Sequence, residues 1–179
     1  MKPLERIAAI NAQPWRPVSG LGMAVAAALT AYIAFFALRG DGWVPLLDSA
    51  NLAVHEGGHP LVGLFSTRLA VYGGTFAQLF FPAACMFEFW RRREALSCGI
   101  CGIWLGQSLL NVARYMADAR AMQLPIVGFG ESVLHDWNLI LSRWGLLRYD
   151  VILANGLRAL AWLAIAASIA FLIYRRSPR

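Results

Sequence analysis

The sequence predicts an all-α, multi-pass transmembrane helical bundle, and three observations carry that prediction. First, 59% of the residues are hydrophobic and only 15% are charged, too apolar for an ordinary soluble domain. Second, the apolar residues gather in long runs. Gly20–Leu38, Leu96–Val112 and Leu160–Tyr174 carry no charge, and Thr75–Trp90 carries only Glu88. Several of these runs approach the roughly 20 residues that take a helix across a bilayer. Third, basic residues stand at the ends of the runs: Lys2, Arg6 and Arg16, then Arg91–Arg93, then Arg175, Arg176 and Arg179. With a net charge of +6, this is the pattern of membrane orientation and not of a nucleic-acid patch. We therefore expect four to five membrane segments in the cell membrane, with lipid as the surroundings and no nucleic acid as partner.

Residues 1–19 read as an interfacial lead, with Trp15 between Pro14 and Arg16 as an anchor at headgroup level. No small-x-small cleavage site follows the first apolar run, so no removable leader is expected. Residues 20–179 read as one membrane-embedded domain. The first span, about Leu21 to Leu38, carries nothing ionisable and is assigned to packing. Arg39-Gly40-Asp41-Gly42 is a turn. Asp48 or Ser49 can cap the next helix.

That helix holds the chemistry. It contains His55-Glu56-Gly57-Gly58-His59, which places two imidazoles at i and i+4 on one face. Two imidazoles so placed can hold one tetrahedral zinc ion, with Glu56 beside the open coordination position as general base and then general acid. A chance match in a packing helix is the alternative. It is opposed by cost, because two histidines and a carboxylate in apolar surroundings are unfavourable unless something pairs with them. The motif begins about two turns into the helix, which puts it roughly 10 Å below the helix start. Gly57 and Gly58 permit close backbone approach, and Pro60 favours a local kink.

Val71-Tyr72-Gly73-Gly74-Thr75 reads as a short extended piece ending in a glycine turn, an edge that could pair with a substrate strand or merely connect. The run from Phe76 to Trp90 is interrupted by Pro82. Five full spans would set the two basic termini on opposite sides. A re-entrant run, most simply the one with Pro82, would reconcile them; an outward-facing lead is the other solution. On the next helix, about Ala95 to Ala119, Gln107, Asn111, Arg114 and Asp118 form a polar stripe that must face the bundle interior or a watery cavity. The stripe could line a metal site, or close the helix end with an Arg114–Asp118 pair while Gln107 and Asn111 join helices; the two readings can coexist. Arg120 to Val133 is a loop, and a last span of about Val151 to Tyr174 is a packing helix. Cys85, Cys98 and Cys101 read as buried thiols and not as a disulfide framework.

A zinc site needs a third protein ligand. His135, the only histidine outside the motif, is a candidate, with Asp118 and Asp136 as competitors. If His135 binds metal, Asp136 or Asp118 could fix its other ring nitrogen. If Asp118 binds instead, His135 could steady the transition-state oxygen, a role also open to Asn111 or Arg114.

A membrane helix with His55-Glu56-Gly57-Gly58-His59, then a glycine-turn segment, then a later helix with Asn111 and Asp118, resembles the site-2 protease family of intramembrane zinc metalloproteases. The resemblance implies an aspartate on a later membrane helix as third ligand, at the position of Asp118. It implies Zn2+ as cofactor and a membrane-embedded protein or peptide as substrate. The expectation is a zinc endopeptidase working within or near the bilayer. A non-catalytic metal-binding or scaffold protein of the membrane is the alternative.

Overall fold

The computed structural model describes residues 13–125 and 135–176. Among these residues six α-helices follow one another: α1 (Gly20–Ala37), α2 (Leu47–Gly63), α3 (Ala70–Arg91), α4 (Ala95–Ala117), α5 (Asp136–Arg143) and α6 (Asp150–Tyr174), with one 3₁₀ turn at Leu147–Tyr149. Four helices are long and apolar enough to cross a membrane: α1, α3, α4 and α6 with its preceding turn. Large apolar side chains such as Leu21, Phe80, Phe81 and Leu163 are exposed on their outer faces, as expected of helices solvated by lipid.

Helix α4 is the axis of the bundle. Its buried residues run from Ala95 to Met116, and both α3 and α6 pack along it. Gly99, Gly102 and Gly106 lie against Leu172, Ser168 and Ile165 of α6, where any side chain would collide. Small residues at this spacing let membrane helices approach closely, which substitutes for the weak hydrophobic drive within lipid.

The basic segments meet at one end. The Arg16 amide donates to the Arg93 carbonyl and the Val18 amide to the Arg175 carbonyl, each at 2.9 Å. The start of α1, the α3–α4 turn and the end of α6 therefore lie together. Four crossings bring Arg16 and Arg175 to the same side.

The re-entrant element is α2, not the helix with Pro82. Pro82 lies buried inside a continuous α3. After α1 the chain folds back into the bundle, where the Tyr32 hydroxyl donates to the Pro45 carbonyl at 2.8 Å. It reverses at Leu46, whose φ of +63° is a region bulky residues avoid. Helix α2 then starts deep. Gln107 donates to Asp48 and accepts from Asn51 at 2.7 Å, and Gln107 is ten residues before the end of α4, about 15 Å along the axis. Asp48 also accepts the Val44 amide at 2.6 Å, satisfying the buried approach to α2. The helix climbs back toward the end it came from, so the His-Glu-x-x-His motif lies nearer that surface than the helix start does.

The extended piece expected at Val71–Thr75 is helical, the first turns of α3. Gly73 and Gly74 serve as flat surfaces rather than as a turn. Gly58 crosses Gly73 so closely that a β-carbon on either would strike the other's backbone, and a β-carbon on Gly74 would strike the His55 ring. The packing gained there offsets the low helix propensity of glycine. Cys98 and Cys101 are buried and Cys85 half-buried, all as free thiols.

Candidate metal centre

The buried face of α2 is polar: Asp48, Asn51, His55 and Gly58. Asp48 and Asn51 are tied to α4 through Gln107, and Asn51 also accepts from the Trp104 indole at 3.0 Å. One turn further on, His55 and His59 stand with ring centroids 5.0 Å apart. Asp136, the first residue of α5, completes the group. Its Oδ2 lies 2.9 Å from His55 Nε2 and 3.1 Å from His59 Nε2. Helix α5 holds the carboxylate there because Trp137, Ile140 and Leu141 are buried against Val112, Met116, Ala119 and Ala154. The Asp136 amide donates to the Tyr115 hydroxyl at 3.2 Å.

The remaining ring nitrogens decide what the group can bind. His59 Nδ1 is 2.9 Å from the Ala70 carbonyl, which can only accept, so Nδ1 carries the hydrogen. His55 Nδ1 faces Gln78 Oε1 at 3.2 Å. The Gln78 amide orientation is set by its own donations to Asn111 Oδ1 at 2.8 Å and to the Ser108 carbonyl at 3.5 Å. His55 Nδ1 therefore also carries its hydrogen. Both Nε2 lone pairs then point at one carboxylate oxygen, and three electron-rich atoms converge with no donor between them. Two extra protons or one cation would relieve this. The three atoms lie within 4.8 Å of one another, and the group could hold a metal ion. Tetrahedral bonds of about 2 Å place ligand atoms roughly 3.3 Å apart, close to the spacings seen. A second ring nitrogen bonded to a carbonyl is also how metal-bound histidines are oriented.

Glu56 lies beside this group on the wall of a cavity of about 360 Å³, which His55, Asn111, Arg114 and Tyr115 also line. Leu52, Trp43, Leu124 and Pro125 give it apolar walls. Arg114 is held at the cavity edge. It donates to the Asp41 carbonyl at 2.8 Å and carboxylate at 2.5 Å, and lies 5.3 Å from the Trp43 ring centroid. The backbone amide of Trp43, together with Arg114, holds the Asp41 carboxyl below its ordinary pKa. The Arg114–Asp118 pair expected from sequence is not formed.

Asp118 and His135, the expected third ligands, stand apart from the histidine pair. Asp118 lies just past the end of α4 and accepts the amides of Gln123 and Leu124 at 3.0 and 2.9 Å, shaping the loop. His135 caps α5, its Nδ1 accepting the Asn138 amide at 3.2 Å. Its Nε2 points toward Asp118 at 3.4 Å, and its ring lies 4.2 Å from that of Tyr115. Because Nδ1 accepts the Asn138 amide, the ring hydrogen is on Nε2 and faces Asp118; burial pushes the His135 pKa down. The correction has a geometric cause: a cap must turn its side chain back onto its own helix, whereas the next residue projects from it. Of the three candidates for the third-ligand place, Asp136 is the one grouped with His55 and His59 in a set that could hold a metal ion, rather than standing only as support behind His135.

Three contributors escape a sequence reading. Gln78 is the only amide in the Thr75–Trp90 run, and that isolation was a usable signal. Tyr115 sits between the rings of His55 and His135 and carries no signal in sequence. Neither does Gly74, whose missing side chain makes room for the His55 ring. Comparison with protein-family models, with curated proteins and with solved structures gives no match.

Proposed function

We propose that this chain is a zinc-dependent endopeptidase acting on membrane-embedded or membrane-adjacent polypeptide, with His55, His59 and Asp136 as ligands and Glu56 as the acid–base group. The observation that carries the reading is the convergence of two Nε2 lone pairs and one carboxylate oxygen, with both Nδ1 hydrogens engaged elsewhere. An N₂O donor set of this kind suits zinc. Zinc, when bound, supplies Lewis acidity toward a water molecule and the scissile carbonyl. Glu56, on the cavity wall next to His55, takes a proton from the attacking water and passes it to the departing amine. Gln78 and the Ala70 carbonyl keep the two imidazoles in the tautomer that presents Nε2. Arg114 and Asn111 face the same cavity, where a fixed positive charge and an amide favour negative charge developing on the carbonyl oxygen. The apolar walls suit an apolar stretch of substrate.

The test uses purified full-length protein. Metal content is measured for wild type and for His55→Ala, His59→Ala and Asp136→Ala, beside cleavage of membrane-protein segments. One zinc per chain, lost in all three variants, and cleavage that falls about 10²–10⁴-fold in Glu56→Gln while zinc remains, support the reading. Zinc retained with cleavage absent throughout supports a metal-binding scaffold instead.

A further inference from the structure

The basic end of the bundle carries a second constructed feature, distant in chain and space from the histidines. Helices α3 and α6 both pack on α4, and between them at this end lies a groove of about 550 Å³. Met86, Phe87 and Trp90 of α3 form one wall; Ala167 and Phe171 of α6 form the other; Gly99 of α4 is at its floor. The rim is cationic and aromatic. The guanidinium groups of Arg93 and Arg175 each lie 4.9 Å from the Trp15 ring centroid, and Trp15 packs edge-on against Phe171 at 5.1 Å. On the far side of Trp15 and Arg175 is a polar basin of about 480 Å³, lined also by Gln13 and Arg176. Trp15 and Arg175 therefore border both spaces.

The charge at this end is unbalanced. Glu88 is taken by Arg91 and Arg92, and Glu94 by Arg16. Among the described residues, Arg175 and Arg176 have no carboxylate partner, and the Arg175 Nε is buried without a hydrogen-bond partner. A buried guanidinium N–H calls for an acceptor. An apolar groove that runs up to an arginine-lined basin, at bilayer interface height, matches an amphiphile with a long chain and an anionic head. Basic pockets between membrane helices recognise anionic headgroups in this way, and arginine pairs with phosphate through its planar fork.

We infer that the groove bounded by Trp15, Arg93 and Arg175 is a binding site for one anionic phospholipid, its phosphate at Arg175 and Arg176 and its acyl chain along Phe87, Ala167 and Phe171. The inference is independent of the metal centre.

The full-length protein in detergent is exchanged with phosphatidylglycerol or with phosphatidylcholine of the same acyl chains, and retained lipid is counted by native mass spectrometry. The site predicts one retained phosphatidylglycerol per chain and at least tenfold less phosphatidylcholine. Arg175→Gln lowers phosphatidylglycerol retention about tenfold, while Arg143→Gln at the other end leaves it unchanged. Ala167→Phe, an exposed position that fills the groove without altering charge, lowers it as well and keeps the inference testable if Arg175→Gln does not fold. Equal retention of the two lipids, indifference to both Arg175→Gln and Ala167→Phe, or full competition by glycerol phosphate lacking acyl chains would overturn the site.

Discussion

At the scale of single residues, the centre is a question of where lone pairs point. His55 and His59 each give one ring hydrogen to a fixed acceptor and turn the other nitrogen toward Asp136 Oδ2. Asp118 and His135 do different work, one shaping the loop after α4 and the other capping α5. The two assignments separate in experiment. We predict that Asp136→Ala abolishes stoichiometric zinc, measured by elemental analysis at saturating metal. Asp118→Ala retains one zinc per chain and lowers the thermal midpoint, since two loop amides lose their acceptor at about 1–3 kcal/mol together. A zinc-free Asp118→Ala protein with a zinc-loaded Asp136→Ala protein would reverse the ligand assignment. Gln78→Leu leaves the ring of His55 without its acceptor. The expected outcome is a zinc affinity about 10–100-fold weaker, read by competition with a chelator, as for other groups that orient a ligand from behind.

At the scale of elements, the decisive contact is the crossing of α2 over α3. Gly57 and Gly58 are neighbours in sequence and opposite in consequence. A β-carbon on Gly58 would meet the Gly73 backbone and the Ala77 side chain, whereas around Gly57 there is open space. Gly58→Ala should therefore cost about 1–3 kcal/mol through overpacking and weaken zinc binding, because the same helix carries both histidines. Gly57→Ala should leave zinc unchanged and stabilise by up to about 1 kcal/mol through helix propensity. Thermal unfolding in detergent, followed with metal titration, tests both. A lower anchor holds the re-entrant helix at its start, where Asp48, Asn51 and Gln107 are almost wholly buried. Replacing Gln107 by Leu removes the donor to Asp48 and the acceptor for Asn51. The unsatisfied groups should cost about 1–3 kcal/mol each, seen as a fall in the same midpoint with the metal ligands intact.

At the scale of the whole molecule, the four long apolar helices and the re-entrant helix set Arg16 and Arg175–Arg176 on one side and the His55–His59–Asp136 group toward the other. By the positive-inside rule we predict that the side with Arg91–Arg93 and Arg175–Arg176 faces the cytoplasm; at the opposite end Arg114 and Arg120 are paired with Asp41 and Asp150. Topology reporters fused after Arg179 should read cytoplasmic, and reporters placed in the Arg39–Gly42 turn should read the opposite side. A reporter after Arg179 reading non-cytoplasmic would reverse the orientation. Sequence alone determined that the chain is a helical membrane bundle, because uncharged runs of bilayer length have few other ways to satisfy their backbone. It also placed His55, Glu56 and His59 together, because residues four apart on one helix are neighbours whatever surrounds them. Only the tertiary structure decided that α2 is the re-entrant element, that Gly73 and Gly74 are packing surfaces within a helix, and that Asp136 joins the histidines. Each of those outcomes depends on how segments distant in the chain meet. His135 caps α5 with extended backbone and turns its side chain onto the helix, while Asp136 projects from the first turn, a difference that sequence spacing does not orient toward neighbouring helices.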